Sequence, residues 1–289
     1  MNSICKKRVR FLDGFVYGLI YFCAALSVFL IAGIVLYVIA KGFDKVNWEF
    51  LTTTTSVLKG TVGIAGNILN TIYIIILTML LATPIGVGAA IYLNEYAKPG
   101  KIVNMIELAT ETLSGIPSII FGLFGMMFFG ETLGFGYSIL TGTFTLTLMV
   151  LPLITRNTQE ALKTVPDSYR NGAIGLGAGK WYMIRTILIP SALPGVITGV
   201  ILAIGRIVGE SAALLYTAGS GALLPANVQG YLDKIFQSGG TLTIQLYLSM
   251  SKGEYDVAYG VALVLLVIVL VINLVTKYIA KKFDVNRLK

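Results

Sequence analysis

Residues 172–181 read GAIGLGAGKW. Glycines at 172, 175, 177 and 179 followed by Lys180 have the look of a loop that cradles nucleotide phosphates, and the spacing rules this out. A P-loop needs glycine five residues before its Gly-Lys pair and Ser or Thr after it; Ile174 and Trp181 stand at those positions. The dinucleotide fingerprint wants its third glycine one residue later than Gly179, and after a strand. The stretch fits helix punctuation instead. Pro166 and Asp167 suit a helical first turn. Tyr169, Ala173 and Leu176 recur at spacings of four and three along one stripe. Gly177 and Gly179 then stop the helix, since glycine takes the left-handed cap conformation cheaply. Trp181, Ile184 and Ile187 resume an amphipathic turn, and Pro190 marks entry into an apolar run. A short helix, a glycine break and a second short helix cannot cross a membrane. The 156–190 loop therefore either lies flat on lipid or fits a groove in a soluble partner.

The chain around that loop is built for lipid. It is 56% hydrophobic and 12% charged, with a mean hydropathy of +0.82, where a soluble domain carries about 25% charged residues. Six apolar runs approach or exceed the ~20 residues needed to span hydrocarbon: 15–40, 67–93, 112–130, 132–155, 191–217 and 257–276. The fold class is all-α integral membrane protein with six transmembrane helices in a domain at 15–280. An N-terminal segment (1–14), an external loop (218–256) and a tail (281–289) complete the chain. With six spans both termini share one side, and sixteen of the 22 Lys and Arg residues fall there, which makes that side cytoplasmic. The net charge of +8 is thus a signal of topology and implies no nucleic-acid partner. There is no histidine. Cys5 and Cys23 form no cluster, so neither a metal site nor a catalytic residue is expected, and the chain reads as no enzyme.

The fifth run alone carries charge, in Gly205-Arg206-Ile207-Val208-Gly209-Glu210-Ser211. A charge at such depth costs at least ~2.5–3.5 kcal/mol and needs a reason. On a continuous helix Glu210 shares the face of Arg206. The two then form either a self-neutralising pair or an anion site on a transport path. Gly205 and Gly209 make a small-xxx-small pair that admits another backbone. Arg156, at the cytoplasmic end of span four, reads equally as a snorkelling arginine or as a functional one.

At Asn171-Gly172-Ala173, Gly177, Ile187 and Pro190 the loop resembles the signature of bacterial ABC importer permeases: Glu-Ala-Ala, three residues, Gly, nine residues, Ile, one residue, Leu-Pro. The stretches AIGRIVGESAALLYTAG (203–219) and SGIPSIIFGLFG (114–125) resemble permeases of the phosphate-uptake importer, of the PstA type. This likeness runs from about Thr71 to the end. It implies a type I ABC importer permease fold in a bacterial or archaeal plasma membrane, with residues 167–180 as a coupling helix docked on an ATPase. The partners it implies are two ATPase subunits, a sister permease and an extracytoplasmic phosphate-binding protein, besides membrane lipid. ATP and Mg belong to the ATPase, and no cofactor to this chain. The function implied is import of inorganic phosphate. Arg206 and Arg156 match arginines implicated in phosphate movement, and Glu210 and Ser211 complete the candidate pathway. Asn171 and Gly172 depart from the signature, losing an acid and weakening the helix by about 0.5–1 kcal/mol. Arginine's fork suits phosphate oxygens, whereas a Glu210 carboxylate only accepts. It would tolerate hydrogen phosphate, which has a proton to donate, and penalise sulfate. The alternatives are a permease for sulfate or molybdate, or an ion-coupled transporter or channel, which needs no docking loop.

Overall fold

The structure, a computed structural model, is described for residues 11–56, 61–98, 100–225 and 227–282. The segment before Phe11 and the tail beyond Lys282, with their basic residues, lie outside it. The chain opens with α1 (Phe11–Gly42), then α2 (Trp48–Thr52) and an antiparallel hairpin of β1 (Thr54–Ser56) and β2 (Thr61–Ile64), paired Thr54↔Ile64. Next come α3 (Ala65–Ile91), prolonged by a π turn to Tyr96, and α4 (Lys101–Gly115). α5 (Ser118–Gly125) continues through a second π turn to Thr132, and α6 (Ile139–Lys163) follows. The short α7 (Asp167–Gly175) and α8 (Lys180–Met183) lead by a π turn at Ile184–Leu188 into α9 (Ile189–Gly209). The chain ends with α10 (Ala212–Thr217), α11 (Val228–Asp233), α12 (Leu242–Ser251) and α13 (Tyr255–Lys282).

Among the described residues, five helical stretches are long and apolar enough to cross a membrane: Gly14–Lys45, Ala65–Tyr96, Ile139–Lys163, Lys180–Gly209 and Tyr255–Tyr278. The run expected as a third span, 112–130, is not one helix. α4 and the α5 stretch meet at 103°, because Ile116, forced toward extended backbone by Pro117, has ψ 131 and Pro117 has ψ 140. The fourth helix begins at Ile139, not Thr132. Gly134 and Gly136 hold positive φ in the turn before it, and the Ser138 hydroxyl caps it by accepting the Thr141 N–H at 3.2 Å. The fifth stretch starts earlier than 191, running through Pro190 from Lys180. The π turn before Pro190 accommodates a residue that cannot donate and would crowd a regular helix. It also ends earlier, since Glu210 is extended at ψ 122 and α10 starts afresh.

α3, α6 and α9 form the centre of the bundle. Their core includes Ile74, Ala82, Leu146, Val150, Ile154, Ala203 and Ile207, with Leu214 of α10. A second cluster at the α7 end joins Leu162, Val165, Ala173, Ile184 and Leu188. A third, at the hairpin end, joins Phe50, Ile64, Leu242 and Val261. α1 packs against α13 and leaves Phe15, Phe22 and Phe29 open, as a helix bathed in lipid can.

The 218–242 segment folds back over the N-terminal end of α3. Buried loop backbone needs partners, and Asn67, Asn70 and Thr71 supply them from one helix face. The Asn67 and Asn70 amides donate to Gly240 O at 2.9 and 3.0 Å, and Asn70 also donates to Gly221 O at 2.8 Å. The Thr71 hydroxyl accepts the Leu242 N–H at 3.0 Å. Gly66 is part of this seat, because a Cβ there would run into the carbonyl of Ala222. Replacing Gly66 by Ala is expected to destabilise the protein by about 1–3 kcal/mol, the usual cost of overpacking. Thermal unfolding of the detergent-purified chain measures this, and an unchanged midpoint would show that the segment is not seated on α3.

Candidate functional site: a docking knuckle and a broken span

The knuckle forms at one end of the bundle. α7 ends where Gly177 adopts φ +78, a left-handed conformation that a side chain strains. There the N–H groups of Gly177 and Ala178 donate back to the carbonyls of Ile174 and Ala173 at 2.9 and 3.0 Å. Of the stripe Tyr169, Ala173 and Leu176, only Ala173 is buried. Asn171, Gly172, Tyr169, Ile174 and Leu176 are exposed, as are Trp181 and Tyr182 of α8. Ile187 is half-buried against the cluster around Leu188, and Pro190 sits in the first turn of α9. The knuckle thus presents aromatic and aliphatic side chains outward on a rigid base.

Arg170 makes that base rigid. Its guanidinium donates to the carbonyls of Leu162 and Val165 at 2.9 and 2.8 Å, which caps the end of α6, and to Glu95 Oε1 at 3.1 Å. It also reaches Asp167 at 3.1 Å. The Glu95 side chain is only 6% exposed. One arginine therefore joins α7 to the ends of both α3 and α6. Nothing in the sequence pairs residues 95 and 170; the Lys180 ammonium over the Tyr96 ring, at 4.7 Å, is equally silent there.

The expected pairing of Arg206 with Glu210 is not made. It assumed an uninterrupted helix, and α9 stops at Gly209. Glu210 is 8% exposed. Its Oε1 accepts the Ala213 N–H at 3.0 Å and its carbonyl accepts the Thr243 hydroxyl at 2.9 Å. It thereby caps α10, a bond that the Ser211 side chain does not make. Arg206 lies in the last turn of α9, where the helix dipole favours a cation. Each charge is thus held by its own helix end. Leu202, Gly205, Arg206 and Gly209 are all exposed, and a Cβ at either glycine would meet nothing within 4 Å. This is an uncovered face carrying one guanidinium. Ser211 opens elsewhere, into a cavity of about 140 Å³ with Ile119, Tyr216 and Tyr247.

Arg156 is not brought to Arg206. Gly199 packs on Asn157, so Arg206, seven residues further along α9, lies about 10 Å deeper at 1.5 Å per residue. Arg156 is exposed and stands 3.6 Å from both Glu111 of α4 and Glu160. It borders a cavity of about 230 Å³ that Glu107 and Lys163 also line.

The model of the family described as binding-protein-dependent transport system inner membrane component matches residues 82–285. The chain belongs to that family. Among relatives of this permease component, the "Probable ABC transporter permease protein YqgI" of Bacillus subtilis is 40% identical over 202 residues, 70% of this chain and 69% of that one. The phosphate transport system permease protein PstA 2 of Mycobacterium bovis is 30% identical over 271 residues, 92% of this chain and 86% of that one. A crystal structure of a bacterial alginate ABC transporter, in complex with an alginate pentasaccharide-bound periplasmic protein, shares the fold. Its TM-score is 0.69 over 94% of this chain and 96% of that chain, at 15% identity. The chain is therefore a multi-pass membrane permease subunit of an ABC importer, with the type I fold, and its family is a transport component and not an enzyme.

Arg170→Ala is expected to cost this permease about 3–5 kcal/mol, because it strands a buried carboxylate. Adding Glu95→Ala should recover part of that in a thermal unfolding cycle; strictly additive losses would mean that the two side chains are not coupled. Glu210→Gln keeps an oxygen acceptor for the Ala213 N–H and should leave stability near that of the parent. Glu210→Ala should cost about 1–3 kcal/mol through an unsatisfied buried donor. Equal losses in the two variants would count against the capping role.

Proposed function

We propose that this permease subunit moves inorganic phosphate into the cytoplasm, with both termini on the cytoplasmic side. The α7 knuckle docks on a separate ATPase subunit that binds ATP and Mg, and two such ATPase subunits serve a pair of permeases. The observation that carries the anion reading is Arg206: a guanidinium on an open face of α9, between two glycines and without a carboxylate partner among the described residues. A cation in lipid calls for a counter-charge. The fork geometry suits a tetrahedral oxyanion, and the bare Gly205 and Gly209 surface lets a sister permease approach closely enough to enclose it. The relative named a phosphate transport permease, aligned over 92% of this chain, supports phosphate among the oxyanions. An extracytoplasmic binding protein would deliver it.

Glu210 has no part in choosing the anion on this reading, since its carboxylate faces α10. Arg156, neutralised by two glutamates, is a weak resting place for an anion, and its position on α6 suits the cytoplasmic exit.

Reconstitution with the ATPase, sister permease and binding protein tests this by uptake of radiolabelled phosphate. Arg206→Gln should lower uptake by about tenfold or more, the scale of one lost charge-assisted hydrogen bond, while leaving the complex assembled. Uptake that prefers sulfate, or is indifferent to Arg206, would overturn the proposal.

A further inference from the structure

The end of the bundle opposite α7 holds a second cation that the pathway above does not use. Lys234 stands in the short turn after α11 and is 2% exposed. Its ammonium makes one hydrogen bond, to Ser238 O at 3.3 Å, and so has further donors to offer. Among the described residues no carboxylate oxygen lies within the 4.0 Å of an ion pair. The adjacent Asp233 turns to the Gln229 amide instead, at 3.2 Å. Burial pushes the Lys234 amine below its ordinary range.

The surroundings add to the positive charge. The 234–236 turn packs against α6, and Gln237 O accepts the N–H of Ile139, the first residue of that helix. A helix of 25 residues presents the positive end of its dipole there. A buried ammonium beside a helix N-terminus, with no acid to balance it, is unfavourable unless something anionic is taken up. The rest of the neighbourhood, Ser238 and the glycine-rich stretches 218–221 and 239–240, is neutral.

We infer that Lys234 and the first turn of α6 form an entry station for a small inorganic oxyanion on the outer side of the permease, ahead of Arg206. The inference rests on the phosphate reading above and extends it. The 218–242 segment covers the station from outside, so the anion arrives as that segment lifts. The ammonium then exchanges its single carbonyl bond for the anion's oxygens.

Lys234→Met decides the matter, because it keeps the length of the side chain and removes only the charge. Were the lysine a structural filler, an apolar group of similar volume would be neutral or stabilising and transport would not change. The station instead requires an assembled, equally stable complex whose KM for phosphate uptake rises about tenfold, with basal ATP hydrolysis unaltered. An assembled variant that takes up phosphate like the parent would overturn the inference and leave the phosphate reading standing. A variant that fails to assemble would overturn it too, by assigning the Lys234–Ser238 bond to folding. Parent vesicles that accumulate no phosphate would sink the phosphate reading itself, and this inference with it.

Discussion

A helix that stops inside a membrane protein leaves carbonyls at one end and N–H groups at the next start, and lipid satisfies neither. Glu210 closes that gap with two atoms. Its carboxylate takes the Ala213 N–H of α10, and its carbonyl takes the Thr243 hydroxyl of α12. Thr243 in turn bonds Thr241 at 2.9 Å, at the start of a helix whose first N–H is held by Thr71 of α3. α3, α9, α10 and α12 therefore meet through one chain of hydrogen bonds that begins at the break. Without that closure the last turn of α9 would have no fixed end, and Arg206 no fixed place.

The break also explains how this chain keeps two opposite charges in a span without pairing them. A salt bridge across one helical turn would spend the guanidinium on its neighbour. Ending the helix at Gly209 puts the acid against the N-terminus of α10 and the base in the last turn of α9, the helix end that suits each sign. The arginine keeps its donors free toward the face that no other element covers.

The apolar runs were legible because hydropathy over about 20 residues reflects the solvent directly. The ends of α7 were legible because Asp167 and Gly177 act through their own backbone. The two breaks were harder for different reasons. Pro117 was visible, and its neighbour Ile116 is restricted by local sterics, but a kink and a 103° turn carry the same signal in sequence. At Glu210 there is no proline, and the Gly209-Glu210-Ser211 stretch propagates a helix as readily as it ends one. What decides there is Thr243, thirty-three residues away. Arg170 and Glu95 escaped notice for the same reason, being seventy-five residues apart. Local conformation follows from local chemistry, whereas a partner supplied by another helix leaves no periodic trace.

The two ends of α3 show how a push on the knuckle could reach the outer segment. One end is tied to α7 by Glu95 and Arg170, the other to residues 218–242 by Asn67, Asn70 and Thr71. A helix is stiff along its axis, so α3 transmits displacement well and stores little of it. Coupling also needs an element with two arrangements, and the junction at 209–212 is suited to that. Only the Glu210 N–H to Ile207 bond, at 3.2 Å, and the two side-chain bonds described above hold it. On its far side α10 travels with α5, because Gly122 packs directly on the backbone of Ala213. α9 moves with α6 through the contact of Gly199 with Asn157. A few hydrogen bonds between two well-packed bodies make a hinge, and Arg206 sits one turn from it.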